Sequence, residues 1–493
     1  MDKPDLKYDD LVVGSGISGM TMALLLAKAG RKVLLIEKQS AIGGCMRRFK
    51  CKGIPFDTGF HFTGGFGGLL SDMLRALGME QDVRPEFLDD PKTNRIYLEN
   101  SDSMYEMPSG MDAAGRALKR NFPGEDEAID KYLQTEEDIE RRTPFMDLKK
   151  LNTEELFDLM RQLDEDFIPL QQYLDSITAD TRLQTVLANV ALCYGSPPSV
   201  MPLSMHCRAA VGMHKSMARV AGGGDAFINS FKRQAKELNI DIMTGTEISG
   251  IAKRSGKTIS AVTLSGGATC HFGNCILAIH PRSIISILPE DAVPEATRQA
   301  VEKYEESFSF FSLFATIQTE RPVSPALTSY LTRDNLNEII SPDSGACAMA
   351  ILTGIEAVGN DKVSVLCAFE NEFPGEAVRW KNASRKNDAS YQQYKARRAA
   401  AMIKKIEKVY PEYAGKINVL STSSTLTFED YLPPTGSAYG IVHKVGEQNL
   451  FGRLPVRNFY AVGQSSLIPG VLGAMLSSFI VGRYLLGRNF IAF

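Results

Sequence analysis

The chain has 493 residues, 44% of them hydrophobic and 23% charged, with a formal net charge of −3. That length exceeds what one hydrophobic core usually holds, so two domains are expected, and the composition is that of an ordinary soluble globular protein. The small charge removes the electrostatic case for a nucleic-acid partner.

The start, Met1-Asp2-Lys3-Pro4-Asp5, has no apolar core of the kind a signal peptide needs, and no uninterrupted apolar stretch reaches spanning length. Eight cysteines stand at 45, 51, 193, 207, 270, 275, 347 and 367, with no CxxC. Scattered thiols suit a reducing compartment and small buried hydrophobes; metal binding by 45/51 or 270/275 is the sharper but less favoured alternative. A cytoplasmic protein without a metal is expected, with membrane association left open.

An apolar run, Leu11-Val12-Val13, leads into Gly14-Ser15-Gly16-Ile17-Ser18-Gly19; the spacing then predicts a helix over 18–29, and a second apolar run ends at Glu37-Lys38. This is the layout of a βαβ dinucleotide site. Gly14 permits the tight turn, Gly16 lets the backbone approach a pyrophosphate, and Gly19 lets the helix lie close on the sheet. The first turn, with Ile17 and Ser18, offers free N–H groups and a positive dipole end to phosphates. Glu37 stands where a carboxylate accepts hydrogen bonds from a ribose diol, with Lys38 beside it.

Next, Gly43-Gly44-Cys45 suits a loop passing over a bound cofactor. In Phe56-Asp57-Thr58-Gly59-Phe60-His61-Phe62-Thr63-Gly64-Gly65-Phe66-Gly67-Gly68, glycines alternate with aromatics. Such a stretch is either a flexible turn or, as favoured here, a backbone packed against a flat ring. These motifs resemble the N-terminal FAD-binding part of phytoene desaturases, carotenoid isomerases and retinol saturases, flavoproteins related more distantly to amine oxidases. The Asp57-Thr58-Gly59-x-His61 form is most similar to the retinol-saturase branch. The resemblance implies FAD as cofactor, with Glu37 on the adenosine ribose, Gly43, Gly44 and Cys45 along the cofactor, and Phe62, Thr63 and Gly64 also in contact with it.

From about 90 to 205 the chain becomes charged and helix-prone and reads as an inserted helical region, with a turn at Pro123-Gly124 leading into 127–142. The acids at 136–140 read as a solvated face, and Met146, Met160 and Phe167 as core by default or as contacts to a lipophilic substrate. Gly222-Gly223-Gly224 opens a helix without GxGxxG spacing or a following acid-ended strand, and the resemblance implies a scaffold role for it within the FAD domain. By the resemblance, 241–248 holds the strand whose end touches adenine, which places Ile248 there. Stretch 257–272 reads as a small β-meander, and 274–281 as a buried strand returning to the main sheet.

Further on, 308–317 is an aromatic strand, either lining an apolar cavity or buried in a core, and 363–369 is another strand. Residues 390–409 form a basic amphipathic helix; a solvated face is favoured over peripheral membrane contact. The loop 427–440 carries Glu429 and Tyr439, and its Gly436-Ser437-Ala438-Tyr439-Gly440 is similar to a segment near the flavin in the same family. Finally, 458–464 is a strand ending at Gly463-Gln464, and Pro469-Gly470-Val471-Leu472-Gly473-Ala474 opens an apolar helix. The free N–H groups of that helix, around Gly470, Val471, Leu472 and Ala474, would face the pyrimidine edge of a flavin. Family members often carry an acid where Gln464 stands.

These readings give an α/β protein: a discontinuous Rossmann-type FAD-binding domain (1–90, 205–285 and 440–493) with an inserted α+β substrate domain (91–204 and 286–439). The expected chemistry is saturation, desaturation or isomerisation of carbon–carbon bonds in an apolar, isoprenoid-like substrate, with hydride moving at flavin N5 and amine oxidation as the alternative. His61, Tyr439 and Glu429 are the candidate proton carriers by chemical type. An unidentified electron donor or acceptor is implied, and the oligomeric state is left open. The purified protein is predicted to be yellow and to release FAD, not FMN, on denaturation. Glu37→Arg is predicted to abolish cofactor retention; a colourless wild type that cannot be reconstituted with FAD contradicts both.

Overall fold

The computed structural model describes residues 5–88, 90, 92–381, 388–432 and 434–492. The first four residues read above, and Pro433 of the 427–440 loop, lie outside that set.

Strands Asp10–Val13 and Val33–Glu37 are apolar on both sides, so both faces of their sheet must be covered. Val12 and Leu35 join a core made with the helices Ile17–Lys28, Gly224–Glu237 and Gly470–Leu486. Leu11, Val13, Leu34 and Ile36 point the other way, onto the strands Ile248–Ser255, Thr258–Leu264 and Thr269–His271. Between these layers lies a six-stranded sheet in the order Asp241–Thr244, Val33–Glu37, Asp10–Val13, Asn274–Leu277, Phe459–Ala461, Gly452–Arg453. Its first five strands are parallel and the last pair is antiparallel. The expected meander and the returning strand at 274–277 are both present, and the triple glycine at 222–224 serves packing. A Cβ on Gly224 would meet the Met46 carbonyl oxygen at 1.9 Å.

A second sheet has seven strands: Ile417–Ser423, Ser309–Ile317, Asp361–Glu372, Ala348–Val358, Ala326–Leu331, Asn94–Leu98 and Ser103–Glu106. All neighbours are antiparallel except Ala326–Leu331 with Asn94–Leu98. The last two strands correct the wholly helical reading of 90–205. Each is short, and Asn94–Leu98 is stabilised by pairing with a strand far along the chain, which local sequence does not carry. The helices Met111–Asn121, Asp126–Arg142 and Leu203–Lys215 then form a layer beside this sheet.

Two charged stretches also depart from expectation. Glu136 is fully buried, because it falls on the same helical stripe as Tyr132, Leu133 and Ile139. On Ala389–Val409, Tyr391, Tyr394, Met402 and Ile406 pack on the sheet. Its cations do not form a purely solvated face: Arg398 reaches Glu370 at 2.9 Å and Glu372 at 3.3 Å, and Lys405 also pairs with Glu370.

Burial pushes the Glu370 carboxyl up, but the charges of Lys405 and Arg398 outweigh it and hold the group below the usual glutamate range. A depressed folded-state value contributes stability in full above that range and loses it as pH falls through the folded value. Glu370→Gln removes the shared partner of two half-buried cations and is predicted to cost about 2 kcal/mol in urea unfolding at pH 7. The gap to wild type should close on acidification below the glutamate range.

Candidate active site

One cavity of about 1170 Å³ is walled by both sheets. At one end stands the glycine turn. Gly14 takes φ +93°, and a Cβ on Gly19 would lie 1.9 Å from the Gly14 carbonyl oxygen, so the helix Ile17–Lys28 rests directly on the turn. A Cβ on Gly16, by contrast, would meet nothing within 4 Å. That helix has no side-chain cap and no acid in its first turn, so its free N–H groups stay available to an anion. Gly14, Gly16, Ile17 and Ser18 line the cavity, while Gly19 lies behind it. Glu37 also lines it, accepting from the Ser15 N–H at 2.9 Å, the Ser15 hydroxyl at 2.6 Å and the Gln39 N–H at 2.8 Å. Lys38 sits at the mouth, 2.9 Å from Glu247 in an exposed pair of little energetic weight. Ile248 lines the same end with Thr246 and Ser249.

Gly44 and Cys45 line the cavity, but Gly43 packs against Ile228 instead. In the next loop Thr58 to Thr63 form wall, including His61, Phe62 and Thr63. Gly64 does not. A Cβ there would meet the Gly212 backbone at 2.3 Å, and the Gly65 N–H donates to the Gly212 carbonyl at 3.1 Å. These two glycines therefore lock the loop to the helix Leu203–Lys215 rather than face a ligand. Gly463, Gln464, Gly470, Val471 and Ala474 line the wall opposite. Leu472 turns away, toward Gly65 and the core. The helix Gly470–Leu486, like the first, begins with no side-chain cap and no acid.

Beyond these termini the wall becomes apolar. Phe310 and Phe314 line it together with Leu327, Leu352 and Phe369, while Phe311 and Leu313 of the same strand pack under Ala389–Val409. Both readings of 308–317 therefore hold, one for each face. Met146 is buried, Met160 and Phe167 face outward, and none of the three lines the cavity.

The candidate proton carriers separate. His61 lies on Phe369, ring centroids 4.1 Å apart. Burial, aided by the charges of Arg219 and Arg48, pushes its value down to about 3, so the ring is neutral at pH 7. Tyr439 lines the wall edge-on to Phe308 and Phe310, and burial raises its phenol well above the ordinary value. Neither releases a proton readily. Glu429 does not line the cavity; it pairs with Lys381 at 3.0 Å. His214, which the sequence reading passed over, lines it and is bonded to Glu136.

An NAD(P)-binding Rossmann-like domain model matches residues 12–77. Human all-trans-retinol 13,14-reductase is 25% identical, over 98% of this chain and 86% of that protein. The chloroplastic prolycopene isomerase of Daucus carota is 22% identical, over 93% and 76%. The chain is thus similar over nearly its whole length to proteins named as a retinol reductase and a carotenoid isomerase. A solved putrescine oxidase, bound to putrescine, shares the fold with TM-score 0.65 and 15% identity over 98% of this chain and all of the other.

Gln464 has a definite local job. Its side-chain N–H donates to the Ala438 carbonyl at 3.3 Å and its own carbonyl accepts from His443 at 3.2 Å, joining the strand end to the Tyr439 loop. Among the described residues, Lys38 is the only lysine on the cavity wall. The two glycines of the first turn should separate fold from ligand. Gly19→Ala is predicted to lose about 2 kcal/mol or more of stability, because backbone meets backbone there. Gly16→Ala should leave the melting temperature near wild type while weakening dinucleotide retention, as read by ultrafiltration.

Proposed function

We propose that this protein is an FAD-dependent oxidoreductase that saturates, desaturates or isomerises carbon–carbon double bonds in an elongated apolar, isoprenoid-type substrate. The observation that carries the reading is the single cavity, which joins two uncapped helix N-termini to a wall of Phe310, Phe314, Phe369, Leu327 and Leu352.

The residues present fit FAD. The open space at Gly16 admits a pyrophosphate, and Glu37 is in place for the ribose hydroxyls by exchanging its bonds to Ser15. Gly470 and Val471 would hold the pyrimidine edge, where a helix N-terminus favours negative charge. Bound FAD would supply hydride transfer at N5. The chain's own part is to orient and to exclude water. Phe308 and Phe310 fix the Tyr439 ring, and Phe369 backs His61. The names of the relatives, a retinol reductase and a prolycopene isomerase, support an isoprenoid substrate here. Saturation and desaturation are one reaction in opposite directions, so the electron partner sets the direction. Amine oxidation, suggested by the putrescine oxidase fold, is disfavoured because Lys38 lies at the dinucleotide mouth, paired with Glu247.

The test is anaerobic. Chemically reduced holoenzyme is mixed with a panel of polyenes and enones, and flavin reoxidation is followed together with product mass; oxidised enzyme is offered primary and secondary amines. Reoxidation by at least one alkene with a two-hydrogen mass gain, or net double-bond isomerisation, is expected. Rapid reduction by an amine with no response to any alkene would transfer the assignment to an amine oxidase.

A further inference from the structure

Carbon–carbon reduction needs a proton as well as a hydride, and neither His61 nor Tyr439 is a ready source. A different pair meets the requirement. The His214 Nδ1 and the Glu136 Oε2 are 2.7 Å apart, joining Leu203–Lys215 to Asp126–Arg142. Glu136 has no exposure at all, and its Oε1 has no hydrogen-bond partner among the described residues. A bare carboxylate in that position would cost several kcal/mol, and the partner beside it is one able to carry positive charge.

The neighbouring polar groups are occupied with one another. The Tyr132 hydroxyl donates to the Leu187 carbonyl at 2.8 Å and lies 2.7 Å from the His206 Nε2, while Tyr194 takes the His206 Nδ1 at 2.6 Å. Burial and the charge of His214 push His206 down to about 3. Burial also opposes charge on His214, but the charge and hydrogen bond of Glu136 outweigh it and hold the imidazole above its ordinary value. His214 lines the cavity beside Met213 and Met217, and its Nε2 has no partner among the described residues. The loop-to-helix lock at Gly64 and Gly212 fixes His214 two residues beyond that contact.

We propose that His214, oriented by Glu136, donates and recovers the proton at the substrate carbon. The assignment rests on the carbon–carbon redox reading of the cavity. In reduction, one alkene carbon would receive hydride, with the electron pair for its own C–H bond, from a bound reduced flavin. The π pair then forms the second C–H bond with the Nε2 proton. His214 is left neutral, still donating Nδ1–H to Glu136, and recovers a proton from water. Desaturation is the reverse. The groups acting on His214 are Glu136 and Tyr132 from one helix and His206 from its own.

The test uses holoenzyme and two readouts. Nitrogen-15 NMR of histidine-labelled protein, with the His214 signal assigned by its loss in His214→Gln, should show a protonated ring at pH 7. Glu136→Gln, which keeps the hydrogen bond and removes the charge, should render it neutral. In the anaerobic alkene assay, His214→Gln should slow flavin reoxidation about 100-fold or more while the flavin spectrum and retention stay unchanged. Alkene reduction should fall as pH rises through the His214 value, with that limb displaced to lower pH in Glu136→Gln. A neutral His214 in wild type at pH 7, or a wild-type rate in His214→Gln, overturns this assignment alone. A wild type that accepts no alkene overturns the carbon–carbon reading, and the proton role with it.

Discussion

The contact on which the site depends is the seating of helix Ile17–Lys28 on the turn before it. With 1.9 Å between a would-be Cβ at position 19 and the Gly14 oxygen, no side chain of any size is admitted. That closeness aims the first helical turn at the edge where Asp10–Val13, Asn274–Leu277 and Phe459–Ala461 all end, the usual place for a ligand in an open parallel sheet. The second helix inherits its position from the first. The Ser478 hydroxyl donates to the Ser18 carbonyl at 2.8 Å, and Gly482 lets Leu25 come within ordinary packing distance. Both positive helix ends therefore open on one cavity because the two helices are small-residue neighbours.

The substrate side obeys a different rule, the two-residue period of a strand. In Ser309–Ile317, one set of side chains faces the cavity and the other anchors the sheet to Ala389–Val409. Changing Phe310 or Phe314 alters cavity shape with little effect on the anchoring face, whereas changing Phe311 or Leu313 attacks the core. The cavity-facing positions can thus vary while the scaffold is kept.

What was legible in the sequence was what local chemistry encodes. The glycine turn, Glu37, the meander and the returning strand depend on residues within a few positions of one another, so motif and period reveal them. The expected contact positions that do not line the cavity, Gly43, Gly64 and Leu472, are glycines or apolar residues in the right stretches whose faces are taken by Ile228, Gly212 and Gly65. Which way such a residue turns depends on a partner far along the chain. Glu136 was hidden for the same reason. An acid among acids on a helix looks solvated until the helix is docked, and the docking partner is 78 positions away.

Charge placement gives these pieces a common logic. Arg48, itself on the cavity wall, is held 3.1 Å from Asp57 and also bound to Glu356, while Asp57 in turn accepts from the Gly224 N–H at 3.2 Å. A buried ion cluster of this kind costs several kcal/mol to desolvate and is retained only where its geometry compensates. Here it ties the loop to the start of Gly224–Glu237, and its arginines add to the burial that keeps His61 neutral. An apolar substrate thus meets an uncharged ring at His61, and the two arginines nearest that ring, Arg48 and Arg219, are already paired with acids. The Glu136–His214 pair has the opposite arrangement, with the carboxylate buried behind and the imidazole at the wall. Of the three histidines on the cavity wall, His61 is kept neutral first by burial and then by the cations near it, whereas the carboxylate of Glu136 favours charge on His214.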